Sequence, residues 1–572
     1  MARAQRRSRS KATERWLPIT YLGAVLALAV ALLPSALRPP PQQQNQTAAF
    51  SPNAPPDQRQ TLFDAIHQAS SGTAGAGGPT AAAAPLTSTS TTIPNQPTNA
   101  INLQANYCPF GVNGKQTPNV YSPPCAPAWH GNNGGSTWRG VSPTQINVAI
   151  TGITSQPSPN GALSEQVSAS DSATTRTWKV FERYFNEAFQ LWGRQIQFYV
   201  ASPASSSETD EENEAVTADQ QYHIFGQLSY SAEPMCQYYS QHQIVSWCGD
   251  FEPSSWYAQG SPPQMVYSWV MTGEQDAQFV AEYICKSLAN RPAIYAGEAD
   301  YHNQTRKFGM LLYDTRGYAA YAPYIKNDLK ARCGVSIEMQ YSDLDNTNGE
   351  QALAAAATKF KADGVTTVIP GVDVISAAGF TQAAASNDWF PEWLLNGGGS
   401  NDTNGYGQLQ NTAEWAHAFG FAPSPMGRPY ENMDCFRAYQ LLDPGNLPDD
   451  NFCIYDFVTL YIALAGLQLA GPHLTPTTYM NGLYSLGKRY MAHPVWADGG
   501  GIVAGHPTYE DDVGLIWWNA NAPDPTSTSG STGAYEWENG GQRYQLGQLP
   551  SGPPTVFGSN GSLLVPDSYV PD

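Results

Sequence analysis

The sequence predicts an α/β protein of two lobes, each a mostly parallel sheet flanked by helices, standing behind an N-terminal transmembrane helix. Helix-period segments alternate with short apolar strands over residues 276–396, the pattern of a parallel sheet covered on both faces. A second alternation begins earlier, at Gln145. The third observation is an uncharged segment at residues 17–37, preceded by the basic residues Arg3, Arg6, Arg7, Arg9, Lys11 and Arg15.

A chain of 572 residues exceeds one hydrophobic core and implies two or three domains once its ends are set aside. Apolar residues at 41% and aromatic residues at 12% supply a large core. A net charge of -19 excludes nucleic acid as a partner, because phosphate binding needs a basic face. The basic cluster at residues 3–15 has a simpler use as a topology signal.

Taken in order, residues 1–16 form a basic cytoplasmic tail, and residues 17–37 are long enough to cross a bilayer core of about 30 Å as a helix. Basic residues on the N-terminal side place that end inside and everything after Arg38 outside. The nearest cleavage-like string, Pro34-Ser35-Ala36, has proline where a small residue is wanted, so an uncleaved single-pass anchor is expected. Residues 38–100, rich in Pro, Gln, Ala, Ser and Thr, cannot bury enough surface to order themselves and read as a tether. Residues 101–144 are a short lead-in carrying Cys108 and Cys125.

The first lobe is expected over residues 145–270. A strand at 145–153 precedes a helix at 174–192, where Trp178, Phe181, Phe185, Ala188 and Trp192 recur at helical spacing. A strand at 194–201 follows, then an acidic stretch at 208–214 that reads as solvated surface, then strands at 221–228 and 243–247. The second lobe, 271–410, holds a helix with Val280, Ile284 and Leu288 on one side, and strands at 308–313, 335–340, 365–370 and 393–396. Its helices at 318–332 and 350–361 stop before Gly334 and Gly364, glycines placed for left-handed caps.

Residues 411–518 are expected to return to the first lobe. Residues 457–470 are apolar but too short to span a membrane and read as a buried helix. Thr475-Pro476 opens another helix in cap-then-proline order, and a strand follows at 513–518. The remaining residues, 519–572, read as a loop-rich extension in which 519–533 form a surface loop.

All eight cysteines lie beyond the membrane segment, where an oxidising compartment lets them pair. Eight cysteines allow 105 connectivities. The shortest loops join Cys108 to Cys125, Cys236 to Cys248, Cys285 to Cys333 and Cys435 to Cys453. Zinc is the rival use, but no Cys-x-x-Cys spacing occurs, so no metal is expected.

Several strings, in this order, resemble the type I periplasmic binding proteins, in the branch that binds branched-chain amino acids and amides for ABC transporters. They are FGQLSYSAEP (225–234), AEYICKSL (281–288), LLYDTRGYAAYAPYIKNDLKARCG (311–334) and VTTVIPGVDVISAAGF (365–380). The segment CAPAWHGNNGGSTWRGVSPTQINVAI resembles the approach to strand one in a bacterial extracellular subgroup. The resemblance covers about residues 145–518. It implies two lobes closing on a small ligand, with an ABC permease as the expected partner and no cofactor.

The resemblance also implies site residues. Its Ser-rich turn for a ligand carboxylate matches Ser229, Tyr230 and Ser231, and a second contact loop matches Gly249 and Asp250. The aromatic that closes over the ligand matches Tyr318, and the next strand exit carries Asp373. The chain departs from the amino-acid binders after strand 393–396, where their acid for the ligand ammonium is replaced by Gly397, Gly398 and Gly399. An unpaired buried ammonium costs several kcal/mol, so Asp373 or Asp250 must substitute, or the ligand is an amide, polyol, sugar-like or aromatic compound. Each acid at a strand exit also has a plain reading as a helix cap.

Catalysis finds little support. The zinc-protease and nucleophile-elbow motifs are absent. The string GLYSLGKR at 482–489 has Arg where a phosphate loop needs Ser or Thr, and Asn348 stands where a calcium loop needs Gly. Glu510, Asp511 and Asp512 lack a partner acid at a defined separation. A tethered sensor or adaptor with the same fold is the alternative to a transport receptor.

Overall fold

The computed structural model describes residues 108–564, apart from 109, 112–113, 152–170, 205–206, 250–251, 259–262, 315, 343–348, 450–451, 491–498 and 528–529. The expected tail, anchor and tether lie outside the described residues. Among the described residues no helix is long and apolar enough to cross a membrane.

The first sheet is parallel throughout, with strands β1 (Gln145–Thr151), β2 (Gln195–Ala201), β3 (Gly226–Gln227), β4 (Val245–Cys248) and β5 (Val266–Ser268) in the order β2-β1-β3-β4-β5. β1 and β2 pair residue for residue, Gln145 beside Gln195 through Thr151 beside Ala201. The interleaved helices are α1 (Asp171–Ala188), α2 (Glu208–Tyr222), α3 (Glu233–Gln241) and α4 (Ser254–Tyr257). Trp178, Phe181, Phe185 and Ala188 of α1 are buried, as their spacing predicts. Trp192 is not part of that stripe: α1 ends at Ala188, and Trp192 adopts a positive φ of 59°.

The acidic stretch is helical rather than plain surface. Ser207 caps α2, and Glu208, Asp210 and Glu211 occupy its first turn, where the helix dipole favours negative charge. Helix α2 therefore takes residues 221–222 from the strand expected at 221–228, leaving the two-residue β3.

After β5 the chain crosses to α5 (Gly273–Tyr283), fixed by a capping box between Thr272 and Gln275. The second sheet follows with β6 (Phe308–Tyr313), α6 (Arg316–Cys333), β7 (Ile337–Ser342), α7 (Gly349–Ala362), β8 (Thr367–Gly371), α8 (Val374–Ser386), β9 (Glu392–Leu395), α9 (Asn404–Leu409), α10 (Thr412–Trp415) and β10 (Ala418–Ala422). Gly334 and Gly364 follow α6 and α7 at φ 70° and 71°, the left-handed stops expected of them. β7-β6-β8-β9-β10 repeats the order of the first sheet.

The chain returns to the first lobe by helices alone. α11 (Asp434–Gln440), α12 (Phe457–Leu469) and α13 (Pro476–Leu486) pack there, with Phe457 and Tyr461 against the α1 rings and the Tyr479 hydroxyl accepting from Trp247 Nε1 at 2.9 Å. Helix α12 is buried along almost its whole length, as its composition predicts.

The strand expected at 513–518 in the first lobe belongs instead to β11 (Asp512–Pro523), which pairs antiparallel with β10 in the second sheet. β12 (Thr532–Trp537) and β13 (Arg543–Gln545) both pair with β11. Much of the expected C-terminal loop and extension is therefore sheet. Its aromatic residues drive this: Trp517, Trp518, Tyr535 and Trp537 are all buried. All four expected disulfides form.

Candidate ligand cleft

In a sheet of order 2-1-3-4-5 the connections leave in opposite directions on either side of strand one, opening a crevice at the strand carboxyl ends. In the first sheet this point lies between β1 and β3, and β3 runs into Ser229-Tyr230-Ser231. In the second it lies between β6 and β8, whose exits carry Tyr318 and Asp373. β8 is the counterpart of β3 and β6 that of β1, so Asp373 holds the place of the serine turn, whereas Tyr318 follows the counterpart of β1.

On the first-lobe wall Ser229 and Ser231 are fully buried, and Tyr230 between them is 43% exposed. The Tyr230 ring covers Gly249, where a β-carbon would displace it. The disulfide between Cys236 of α3 and Cys248 of β4 ties the serine turn to the Gly249 loop. The Ser231 hydroxyl is buried without a hydrogen-bond partner. Asp250 lies outside the described residues.

On the second-lobe wall Tyr318 stands edge-on to Tyr313, ring centres 5.3 Å apart. Asp373 is the N-cap of α8, accepting from Ile375 N at 2.7 Å and Ser376 N at 3.0 Å. It also accepts from the Tyr313 and Ser376 hydroxyls. Burial raises its pKa, while the Ser376 and Ile375 hydrogen bonds oppose that shift. Asp373 is thus engaged within its own lobe. Gly397 and Gly399 have φ of 81° and 59°, and a β-carbon on Gly399 would lie 2.5 Å from the Val372 oxygen. The glycines let the β9 exit, with buried Gly398, fold onto the β8 exit.

Sequence reasoning missed several cleft groups. Asp276 of α5 accepts from Asn396 Nδ2 at 3.0 Å and from the Tyr321 hydroxyl at 2.5 Å, and so joins the β9 exit from beneath. One of its oxygens has no partner, and burial pushes its pKa up to about 7. The Tyr406 hydroxyl of α9 is likewise buried without a partner, within electrostatic reach of Asp373 and Tyr318. Nothing in the linear spacing of Asp276 or Tyr406 distinguishes them from ordinary helix residues.

The lobes meet at the start of α6. Gly317 N donates to Glu233 Oε2 of α3 at 3.2 Å. A β-carbon on Gly317 would lie 2.7 Å from Glu252 Oε1, so the buried Glu252 carboxylate packs against the same turn. Two first-lobe carboxylates thus sit at the positive end of a second-lobe helix, and the lobes are in contact there. At these exits the helix-start N–H groups of α6 and α8 are engaged by Glu233 and Asp373, the serines are buried, and the Tyr230 ring is exposed. Among the described residues no group of three or more His, Cys, Asp or Glu could hold a metal ion.

No protein-family model matches the chain, and no curated protein matches it. Solved structures do. A fatty acid ABC transporter substrate-binding protein from Thermomonospora curvata aligns with a TM-score of 0.50 at 12% identity, over 72% of this chain and 97% of that one. A substrate-binding protein of an ABC transporter from Aeropyrum pernix aligns at 0.49 and 12% identity, over 70% of this chain and 96% of that one. A leucine-binding protein from Thermotoga maritima aligns at 0.48 and 10% identity, over 71% of this chain and all of that one (100%). At these identities the likeness is one of architecture: the chain has the fold of the type I periplasmic binding proteins.

Proposed function

We propose that this protein is an extracytoplasmic solute-binding protein, tethered through residues 17–37, that captures a small ligand between its lobes and presents the closed form to the permease of an ABC importer. The observation that carries this reading is that the serine turn Ser229–Ser231 and Asp373 follow equivalent strands, β3 and β8, beside the switch points of the two sheets, in lobes that touch through Glu233 and Gly317. The buried, unpartnered hydroxyls of Ser231 and Tyr406 support it, since such groups are usually satisfied in a native protein. A ligand contacting both lobes favours the closed state by its differential affinity. The reading assigns no catalytic residue.

The test is a thermal-shift screen of the full chain in detergent against amino acids, amides, polyols, sugars, aromatic acids and fatty acids, the last because the Thermomonospora curvata protein is named for them. A ligand at 100 times its Kd stabilises by about 2.7 kcal/mol. A saturable shift with one class supports the receptor. Silence across all classes overturns it in favour of a tethered sensor or adaptor.

A further inference from the structure

The lead-in segment 114–126 is built into the first lobe. The Gln116 side chain donates to the Ala188 carbonyl at the end of α1 and accepts from Gln468 of α12, and Thr117 is hydrogen-bonded to Tyr461 of α12. From this base the segment reaches the place where the chain passes between the sheets.

Three crossovers join the lobes: residues 269–272 from β5 to α5, 423–433 from β10 to α11, and 487–511 from α13 to β11. The end of β5 and the first crossover are bonded to the third: Ser268 N donates to Pro507 O, Tyr509 N to Ser268 O and Glu510 N to Trp269 O, at 2.9–3.1 Å. Their rings, Trp269 and Tyr509, stack with centres 4.6 Å apart and planes 5° from parallel. Tyr121 of the lead-in stands edge-on to both, at 5.5 Å from Trp269 and 5.7 Å from Tyr509. The neighbouring Val120 carbonyl accepts from Arg489 Nη1 of the third crossover at 3.1 Å. Arg428, on the second crossover, lies within electrostatic reach of the Tyr121 hydroxyl.

We propose that Tyr121 is a hinge strut: anchored in the first lobe, its ring braces the stacked Trp269–Tyr509 pair and so holds the lobes in the arrangement in which Gly317 meets Glu233. Opening the cleft swings the crossovers, and a ring wedged against two of them must be displaced for that to happen. Edge-to-face contacts of this kind add to area burial, enough to move a two-state equilibrium several-fold. The strut acts whatever the ligand is.

Hydrogen–deuterium exchange on the full chain in detergent, without ligand, tests this. The informative amide is that of Gly317, which donates across the cleft and is remote in sequence from the hinge. Tyr121→Ala is expected to speed exchange of the α6 start about three- to ten-fold, with the amides of β1 and β6 unchanged, and Tyr121→Phe to restore protection. Exchange that rises only at the lead-in and crossovers, leaving Gly317 as in the wild type, overturns the proposal, because a merely local packing role does that. Should Tyr121→Ala lose the fold, Tyr121→Leu, which keeps apolar bulk but removes the ring edge, is read by the same amide and the same criterion. The outcome is independent of the ligand screen, so failure of either idea is separable from failure of the other.

Discussion

Asp276 shows what burial does to a single carboxyl. In the unfolded chain it titrates near 3.8, whereas burial raises it to about 7 in the fold, against the opposing hydrogen bonds from Tyr321 and Asn396. The folded state therefore holds the proton more tightly than the unfolded state. The stability this provides is fully present below about pH 4 and is lost as pH rises to about 7, at roughly 1.4 kcal/mol per unit of pKa difference. Asp276→Asn removes the titration. Urea melts at about pH 4.5, 6 and 8 should show the wild type losing stability relative to the variant up to about pH 7 and holding level above it. A constant difference across that range would mean that Asp276 is not buried as described. Asp373 is the contrasting case: its oxygens are engaged by the helix it caps.

At the scale of elements, the strands with continuous apolar runs were legible because nothing else suits such runs. β6 was expected at 308–313 and spans Phe308–Tyr313, every residue buried. β3 was placed poorly because its two residues follow directly on a polar helix that carries no apolar period. β11 was placed in the wrong lobe because parallel and antiparallel partners look alike along a single strand, and the Ser/Thr-rich loop before β12 hid a hairpin. Motif order points to the strand exits that hold Ser229 and Tyr318, whereas Glu233 and Glu252 meet at Gly317 only through tertiary packing. The cysteines were readable because the shortest loops are the native ones. The bond from Cys285 to Cys333 closes 48 residues and ties α6 to the helical turn that continues α5. By loop-closure entropy it is worth about 4 kcal/mol. Replacing both cysteines by alanine should lower the urea midpoint accordingly, while an unchanged midpoint would mean that these helices are held by packing alone.

For the molecule as a whole, five strands of the second sheet repeat the order of the first, and a turn of α6 touches the opposite lobe at Glu233. The acid missing after β9 bears on which ligand suits the cleft. Asp373 is committed to its helix and Asp276 to the Asn396 side chain, which leaves Asp250, outside the described residues, as the other acid named for a ligand ammonium. The most direct measurement is a calorimetric titration of the screen's best ligand into the wild type and into the Ser231→Ala, Tyr318→Ala double variant, with the melting temperature of each recorded. The account predicts at least ten-fold weaker binding in the variant, about 1.4 kcal/mol, at a little-changed melting temperature. Equal affinity in the two proteins would place the ligand elsewhere and contradict the cleft as the binding site.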